Sequence, residues 1–184
     1  MMTTVDGFPI QVCDTGQEQG SVVVLLCAAQ RAPGAYDALC DRLHTASLRT
    51  IVVGPEPRLT PKSVVGVLDV LDISWGVLVG DRVGGELAWE LAATRLDRFT
   101  GLVAIDRGHP RVADEAGMIR DDHCPPVEIN TTALVSTPAA HSVAQASQRY
   151  VYGDYRIVDL LGRRNAHEST AQLAAEIVLR TSTW

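Results

Sequence analysis

The chain has 184 residues, of which 46% are hydrophobic and 21% are charged. This length and composition predict one globular domain over residues 1–184. The formal net charge of −6 argues against a nucleic-acid partner, because the phosphate backbone attracts basic surfaces. No apolar run reaches the ~18 residues of a membrane helix, and the N-terminus lacks a signal-peptide pattern. We therefore expect a cytoplasmic protein that neither spans nor binds a membrane.

The four cysteines bear on the cellular compartment and on metal binding. They are Cys13, Cys27, Cys40 and Cys124. No two have Cys-x-x-Cys spacing, so neither a zinc ribbon nor a thioredoxin-like site is predicted. Three lie in apolar or helical surroundings, where a free thiol behaves as a small hydrophobe. We expect free thiols in a reducing compartment, and neither a metal nor a cofactor.

Strand and helix signals alternate along the chain. At the N-terminus, an Asp6-Gly7 turn within the alternating segment Val5–Val12 predicts an antiparallel pair at one edge of a sheet. Continuous apolar runs then predict buried strands at Val22–Leu26, Thr50–Val53, Val77–Val79, Leu102–Ile105, Ala133–Val135 and Tyr155–Leu160. Helical periodicity covers Tyr36–Leu43, Thr60–Leu71, Glu86–Thr94 and Ala171–Arg180. Such alternation is typical of an α/β fold with a mainly parallel sheet.

The segment Gly108–Asn130 is the least regular part of the chain. It contains prolines and several charged residues, which predict a loop rather than a domain. Its histidines and acidic residues, His109, His123, Asp121 and Asp122, could bind a metal. Loop side chains of these types are more often simply solvated, and we therefore expect no metal there.

The segment from Val77 to Ala88 predicts a strand, a sharp turn and a helix, with Gly80 and Gly84 on either side of Arg82. One interpretation is a phosphate-binding loop. However, a dinucleotide fingerprint needs Gly-x-Gly-x-x-Gly after the first strand, and no Gly-Lys-Ser/Thr follows for a P-loop. The other interpretation is the nucleophile elbow Gly-x-Ser-x-Gly, in which only glycine fits beside the strained central residue. The glycine spacing favours the elbow.

With this elbow, nearly the whole chain resembles the α/β-hydrolase superfamily. The matching segments, in order, are Val5–Gly16 for the opening hairpin, Val22–Ala28 for the strand before the oxyanion turn, Ser63–Gly85 for the helix and elbow, and Arg156–His167 for the last strand and histidine loop. The resemblance implies an α/β-hydrolase fold: a mainly parallel sheet flanked by helices, with an N-terminal antiparallel hairpin. Because the excursion after Asp106 is short, it also implies a minimal or absent cap.

The resemblance assigns roles to catalytic residues, and the chain departs from the family at the nucleophile. Arg82 occupies that position, and a guanidinium stays protonated and cannot attack. No carboxylate follows Ala133–Val135, where the family's acid usually lies. Asp106, one strand earlier, matches an alternative acid position. His167 matches the catalytic base.

The oxyanion turn is also altered, because Cys27-Ala28-Ala29 replaces the family's His-Gly sequence. Backbone N–H groups of Ala29 and Val83 remain candidate oxyanion donors. Cys27 is a candidate ligand contact, and a displaced nucleophile is the less ordinary interpretation of this end-of-strand cysteine.

Two functions follow as hypotheses. In the first, the protein lacks the covalent mechanism and binds a small acidic or ester-like ligand, or a protein partner, with Arg82 as the main contact. Arg82 and Asp106 could then pair at the sheet edge, where the pair would either form an anion site or fill the space of a lost triad. The alternative is an esterase-like hydrolase in which His167 activates water while Arg82 and backbone amides stabilise the oxyanion. Uncovered apolar surface beside the elbow could also form a homo-oligomer interface.

Overall fold

The computed structural model describes residues 1–28, 34–160 and 166–182, with side chains from residue 169 onward in the last range. The strands are β1 (Met2–Thr3), β2 (Pro9–Ile10), β3 (Val12–Gly16), β4 (Val22–Leu26), β5 (Arg49–Val53), β6 (Gly76–Asp81), β7 (Phe99–Ile105), β8 (Asn130–Val135) and β9 (Tyr155–Asp159). The helices are α1 (Asp37–Thr45), α2 (Pro61–Val70), α3 (Val83–Thr94), α4 (Pro138–Ser147) and α5 (Ala166–Thr181), with a 3₁₀ turn at Gln148–Tyr150.

Seven strands form one sheet in the order β3-β5-β4-β6-β7-β8-β9. All neighbouring pairs are parallel except β3 and β5. The β-branched runs therefore form a mainly parallel sheet, as predicted. Because β4, β6, β7, β8 and β9 run in one direction, the residues that follow them lie along one edge of the sheet, where ligands bind in open α/β folds.

The N-terminal hairpin is present, but its position differs from the prediction. β1 and β2 flank the turn at Gly7, whose φ is 86°, and they form a separate two-stranded sheet. The antiparallel edge strand of the main sheet is β3. β1 and β2 pair over two residues each, whereas β3 and β5 pair over five. The strand with the longer pairing, β3, is the one at the edge of the main sheet.

Helices cover both faces of the sheet. Side chains alternate between faces along each strand, so Val24 and Leu78 pack with α2 and α3, while Val23 and Val79 pack with α1 and α5. α4 packs on β8 and β9 through small residues such as Ala140. Among the helices of the described ranges, none is both long and apolar enough to cross a lipid bilayer.

Between β7 and β8, residues 106–129 contain neither helix nor strand, apart from one isolated bridge between Val127 and Val151. His109 anchors this loop, because its Nε2 lies 2.8 Å from the Pro125 carbonyl oxygen and its ring stacks on Tyr150. Burial lowers the pKa of His109, so the ring stays neutral. The predictions of an irregular loop and of a minimal cap are confirmed.

Candidate functional site

Arg82 lies at the turn between β6 and α3, with φ 52° and ψ −107°. Its backbone N–H donates to the Ile105 carbonyl oxygen at 3.1 Å, which fixes the turn against β7. A Cβ at Gly84 would lie 2.1 Å from the Leu26 carbonyl oxygen, and one at Gly80 would lie 2.5 Å from the Gly85 Cα. Both positions therefore require glycine, which explains the Gly-x-x-x-Gly spacing.

The guanidinium of Arg82 points outward and is 45% exposed, with Nη1 3.4 Å from Oδ1 of the buried Asp81. Oδ2 of Asp81 accepts a 2.8 Å hydrogen bond from the Tyr36 hydroxyl, which itself accepts from the Ala28 N–H at 3.1 Å. Burial raises the pKa of Tyr36, so its hydroxyl remains a donor. Nothing in the sequence indicated a role for Tyr36 at the site. Its hydroxyl links the turn after β4 to the elbow through these two hydrogen bonds.

Asp106 follows β7 directly and has φ 54°. Its Oδ1 accepts from the Ser136 N–H at 2.7 Å, and its Oδ2 from the Ser136 hydroxyl at 2.5 Å. Among the described residues, Arg82 and Asp106 form no ion pair, so the pairing considered from the sequence is not present there. The reason is local, because Ser136 at the end of the neighbouring β8 bonds both carboxylate oxygens, and Asp81 lies closer to the guanidinium.

Of the remaining predicted site residues, Val83 is fully described, His167 is described only in its backbone, and Ala29 is not described. His167 lies in the first turn of α5 rather than in a loop, and its side chain is outside the described residues. Ala29 is wholly outside the described residues. Val83 is the first residue of α3, and its side chain is exposed beside Arg82.

Cys27 is half-buried at the end of β4, where it lines a cavity of about 230 Å³ with Val83, Gly84 and Leu87. Burial and the charge of Asp81 raise the pKa of the Cys27 thiol to about 12. The thiol is therefore protonated at neutral pH, and the displaced-nucleophile interpretation loses its chemical basis.

The loop after β7 is held to α3 and carries exposed apolar residues. Glu86, on α3, lies 3.1 Å from Arg107 and 3.4 Å from Arg120, which holds the loop to the helix. Met118 and Ile119, just before Arg120, are exposed. We refer to the three exposed residues Val83, Met118 and Ile119 as the apolar rim.

The candidate metal ligands of this loop do not form one cluster. Asp121, Asp122 and His123 are exposed neighbours whose ligand atoms lie within 4.8 Å of one another. His109 is buried and bonded to the Pro125 carbonyl instead. Exposed acidic groups of this kind are ordinarily solvated, so the trio carries no argument for a metal.

No known family profile matches the chain, and no curated protein matches its sequence. Solved structures match its fold. An esterase from Exiguobacterium antarcticum is 13% identical, aligns over 100% of each chain and has a TM-score of 0.77. A hydrolase from Pseudomonas aeruginosa PA01 is 14% identical over 99% of this chain and 97% of its own, with a TM-score of 0.77.

A further match is to epoxide hydrolases of the α/β-hydrolase superfamily from metagenomes of hot environments. It is 12% identical and covers 99% of this chain and 97% of that chain, with a TM-score of 0.76. Similarity at this level of identity concerns the arrangement of the backbone. The chain therefore has the α/β-hydrolase fold.

Proposed function

We propose that the protein binds a small carboxylate or ester-like ligand at the elbow through Arg82, without a covalent catalytic step. The observation that carries the proposal is the exposed guanidinium at the centre of the elbow. Its partner among the described residues is Asp81, at 3.4 Å. Within the described part of the chain, most of its five N–H donors have no protein acceptor, and a guanidinium binds a carboxylate through two parallel hydrogen bonds.

Two neighbouring features support an anion at this position. Asp106 is bonded to Ser136 and leaves the charge of Arg82 uncompensated from that side. The N-terminus of α3 begins at Val83, so the positive end of the helix dipole adds to the field around Arg82. The ligand's acidic group would thus lie between a guanidinium and backbone N–H groups.

The apolar rim indicates the rest of the ligand. Val83 directly follows Arg82 and is exposed. Met118 and Ile119 are exposed in the loop that Arg120 ties to α3. Exposed apolar surface marks binding sites when it adjoins a polar group. A carboxylate attached to a short apolar body satisfies both features. A protein partner with an acidic group beside an apolar side chain has the same chemistry and is the alternative occupant.

The binding test uses isothermal titration calorimetry with 4-phenylbutyrate and its uncharged analogue 4-phenylbutanol. Because a charged hydrogen bond contributes about 1.5–3 kcal/mol, Arg82→Gln is expected to weaken 4-phenylbutyrate binding by roughly 10- to 100-fold. Arg95→Gln, at the far end of α3, is the control and should bind as the wild type does. Equal binding of both compounds, or unchanged binding in Arg82→Gln, would contradict the proposal.

Hydrolysis through His167 is the second candidate, and the fixed carboxylate of Asp106 favours it. Two bonds from Ser136 fix this carboxylate at the end of β7, and a fixed carboxylate is what a general-base histidine needs as its orienting partner. Solved structures of similar fold include an esterase and epoxide hydrolases. In this mechanism His167 removes a proton from water, while Arg82 stabilises the oxyanion. It requires ester turnover that is lost in His167→Ala.

A further inference from the structure

A second cavity lies on the opposite face of the sheet from α3, between α1, β3 and the ends of β4 and β5. Its volume is about 510 Å³, within the 300–1,000 Å³ typical of small-molecule sites. Neither Arg82 nor Asp106 lines it. The elbow function proposed above therefore makes no use of this cavity.

Thiols form much of the cavity wall. Cys13, Cys27 and Cys40 all line it. The Thr15 hydroxyl lies 3.4 Å from Nε2 of His44. Cys13 is two strand residues before Thr15, and Cys40 is four helical residues before His44. β3 and α1 therefore each contribute one thiol to the wall.

These thiols make the interior apolar. Burial raises the pKa of Cys40 as well as that of Cys27, so both remain uncharged at neutral pH. A neutral thiol packs as a small polarisable hydrophobe. Val52 and Pro55 add aliphatic surface on the β5 side. The interior thus fits an apolar body.

The mouth of the cavity is acidic. Asp37 and Asp41 lie one turn apart on α1, and both line the cavity and are exposed. Neither forms an ion pair with another residue of the described ranges. His44, also at the wall, is bonded to the Thr50 hydroxyl at 2.9 Å. The positive end of the α1 dipole offsets part of the negative charge of Asp37. Asp41 lies a turn further along the helix, where this effect is weaker.

We propose that this cavity binds a small organic cation, with its ammonium group between Asp37 and Asp41 and its apolar body among the three thiols. The volume sets the size of the ligand, the neutral thiols set its apolar character, and the two carboxylates set its charge. This site adjoins the elbow, with which it shares Cys27 on its wall, and it has the opposite charge preference.

The test compares 4-phenylbutylamine with 4-phenylbutanol, which has the same apolar body without the charge, by isothermal titration calorimetry. Two exposed carboxylates are expected to make the amine bind about ten-fold more tightly than the alcohol. The Asp37→Asn/Asp41→Asn double variant should reduce the amine to the affinity of the alcohol. Asp122→Asn, an exposed loop carboxylate, is the matched control and should change nothing.

A second measurement locates the bound amine. Cys13 is exposed, so N-ethylmaleimide should label it, and saturating amine should slow that labelling several-fold. Cys13→Phe, which fills the cavity from the edge strand, should abolish amine binding. Equal affinity of amine and alcohol, or unchanged labelling of Cys13, would overturn the proposal. The Asp37→Asn/Asp41→Asn variant should bind 4-phenylbutyrate as the wild type does, so failure here is distinguishable from failure of the elbow proposal.

Discussion

Two non-glycine residues at the candidate site have left-handed backbone conformations. Arg82 has φ 52° and Asp106 has φ 54°, and each directly follows a central strand. Such conformations cost on the order of 1–3 kcal/mol and persist where surrounding contacts fix them. Ser47 and Asp72 have similar φ values, but each simply ends a helix. The strain at the sheet edge therefore coincides with the groups that the fold presents to a ligand.

The hydrogen bonds to Asp106 give a prediction at this scale. Ser136→Ala removes the hydroxyl that bonds Oδ2, and leaving that oxygen without its donor should lower the free energy of unfolding by about 1–2 kcal/mol. Urea unfolding measures the change. Ser142→Ala, which removes an exposed hydroxyl on α4, serves as the control, with an expected change of at most about 0.5 kcal/mol. Equal effects of the two substitutions would show that Ser136 does not hold Asp106.

The residue at the centre of the elbow could be located from sequence alone, since the spacing of Gly80 and Gly84 selects Arg82. The partners of the site residues could not. Ser136 reaches Asp106 because β8 lies beside β7, and Tyr36 reaches Asp81 from the start of α1. Contacts of this kind depend on the order of strands in the sheet, which no local pattern contains.

At the scale of elements, the helix–strand junction at the elbow is the most constrained part of the fold. Gly84→Ala would place a methyl group 2.1 Å from the Leu26 carbonyl oxygen, so α3 must move away from β4. We expect a loss of about 3 kcal/mol or more in the free energy of unfolding.

Gly85→Ala is the matched control for Gly84→Ala, because it makes the same substitution at the neighbouring position of α3. Its Cβ would meet neighbours at 3.2 Å, and alanine's higher helix propensity offsets part of that crowding. The expected change is within about 1 kcal/mol. Thermal unfolding of both variants separates the two cases. A Gly84→Ala protein as stable as Gly85→Ala would contradict the packing described for the elbow.

The helix that the sequence analysis missed is instructive. Thr137 caps α4 by accepting the Ala140 N–H, and Pro138 begins the helix, just as Thr60 and Pro61 do for α2. The start signal was therefore present at both helices. α4 was missed because it packs through alanines, whose weak hydrophobic contrast gives little periodicity. The strands of the main sheet were predicted because their apolar runs are long and continuous.

At the scale of the whole molecule, two buried thiols predict that the stability of the fold decreases at alkaline pH. Burial raises the pKa of Cys27 to about 12 and that of Cys124 to about 11, from 9.0 for an exposed thiol. Above about pH 9 the unfolded chain releases these protons while the folded chain retains them, so the free energy of unfolding falls as the pH rises.

Urea unfolding at about pH 8 and about pH 10.5 measures this loss of stability. Cys124→Ala lowers the free energy of unfolding at both pH values because it empties a buried position. Between about pH 8 and about pH 10.5, however, its free energy of unfolding should fall by less than that of the wild type. Cys13→Ala, which removes an exposed thiol, should show the wild-type loss. A Cys124→Ala protein with the full wild-type loss would contradict the buried-thiol explanation.

The two proposed sites have opposite charge preferences on a chain whose net charge is −6. The elbow offers the guanidinium of Arg82, and the α1 cavity offers Asp37 and Asp41 at its mouth. The two proposals use different charged groups, so ligands of opposite charge test them separately. At the elbow, we propose binding without the hydrolysis that some solved structures of the same fold are named for.

Turnover of p-nitrophenyl butyrate by the wild-type protein, measured beside His167→Ala, tests that claim most directly. The guanidinium of Arg82, at the turn between β6 and α3, cannot form an acyl-enzyme, so we expect both proteins to show only the background rate of ester hydrolysis. Robust turnover by the wild type that disappears in His167→Ala would contradict the account and establish hydrolysis without a serine nucleophile.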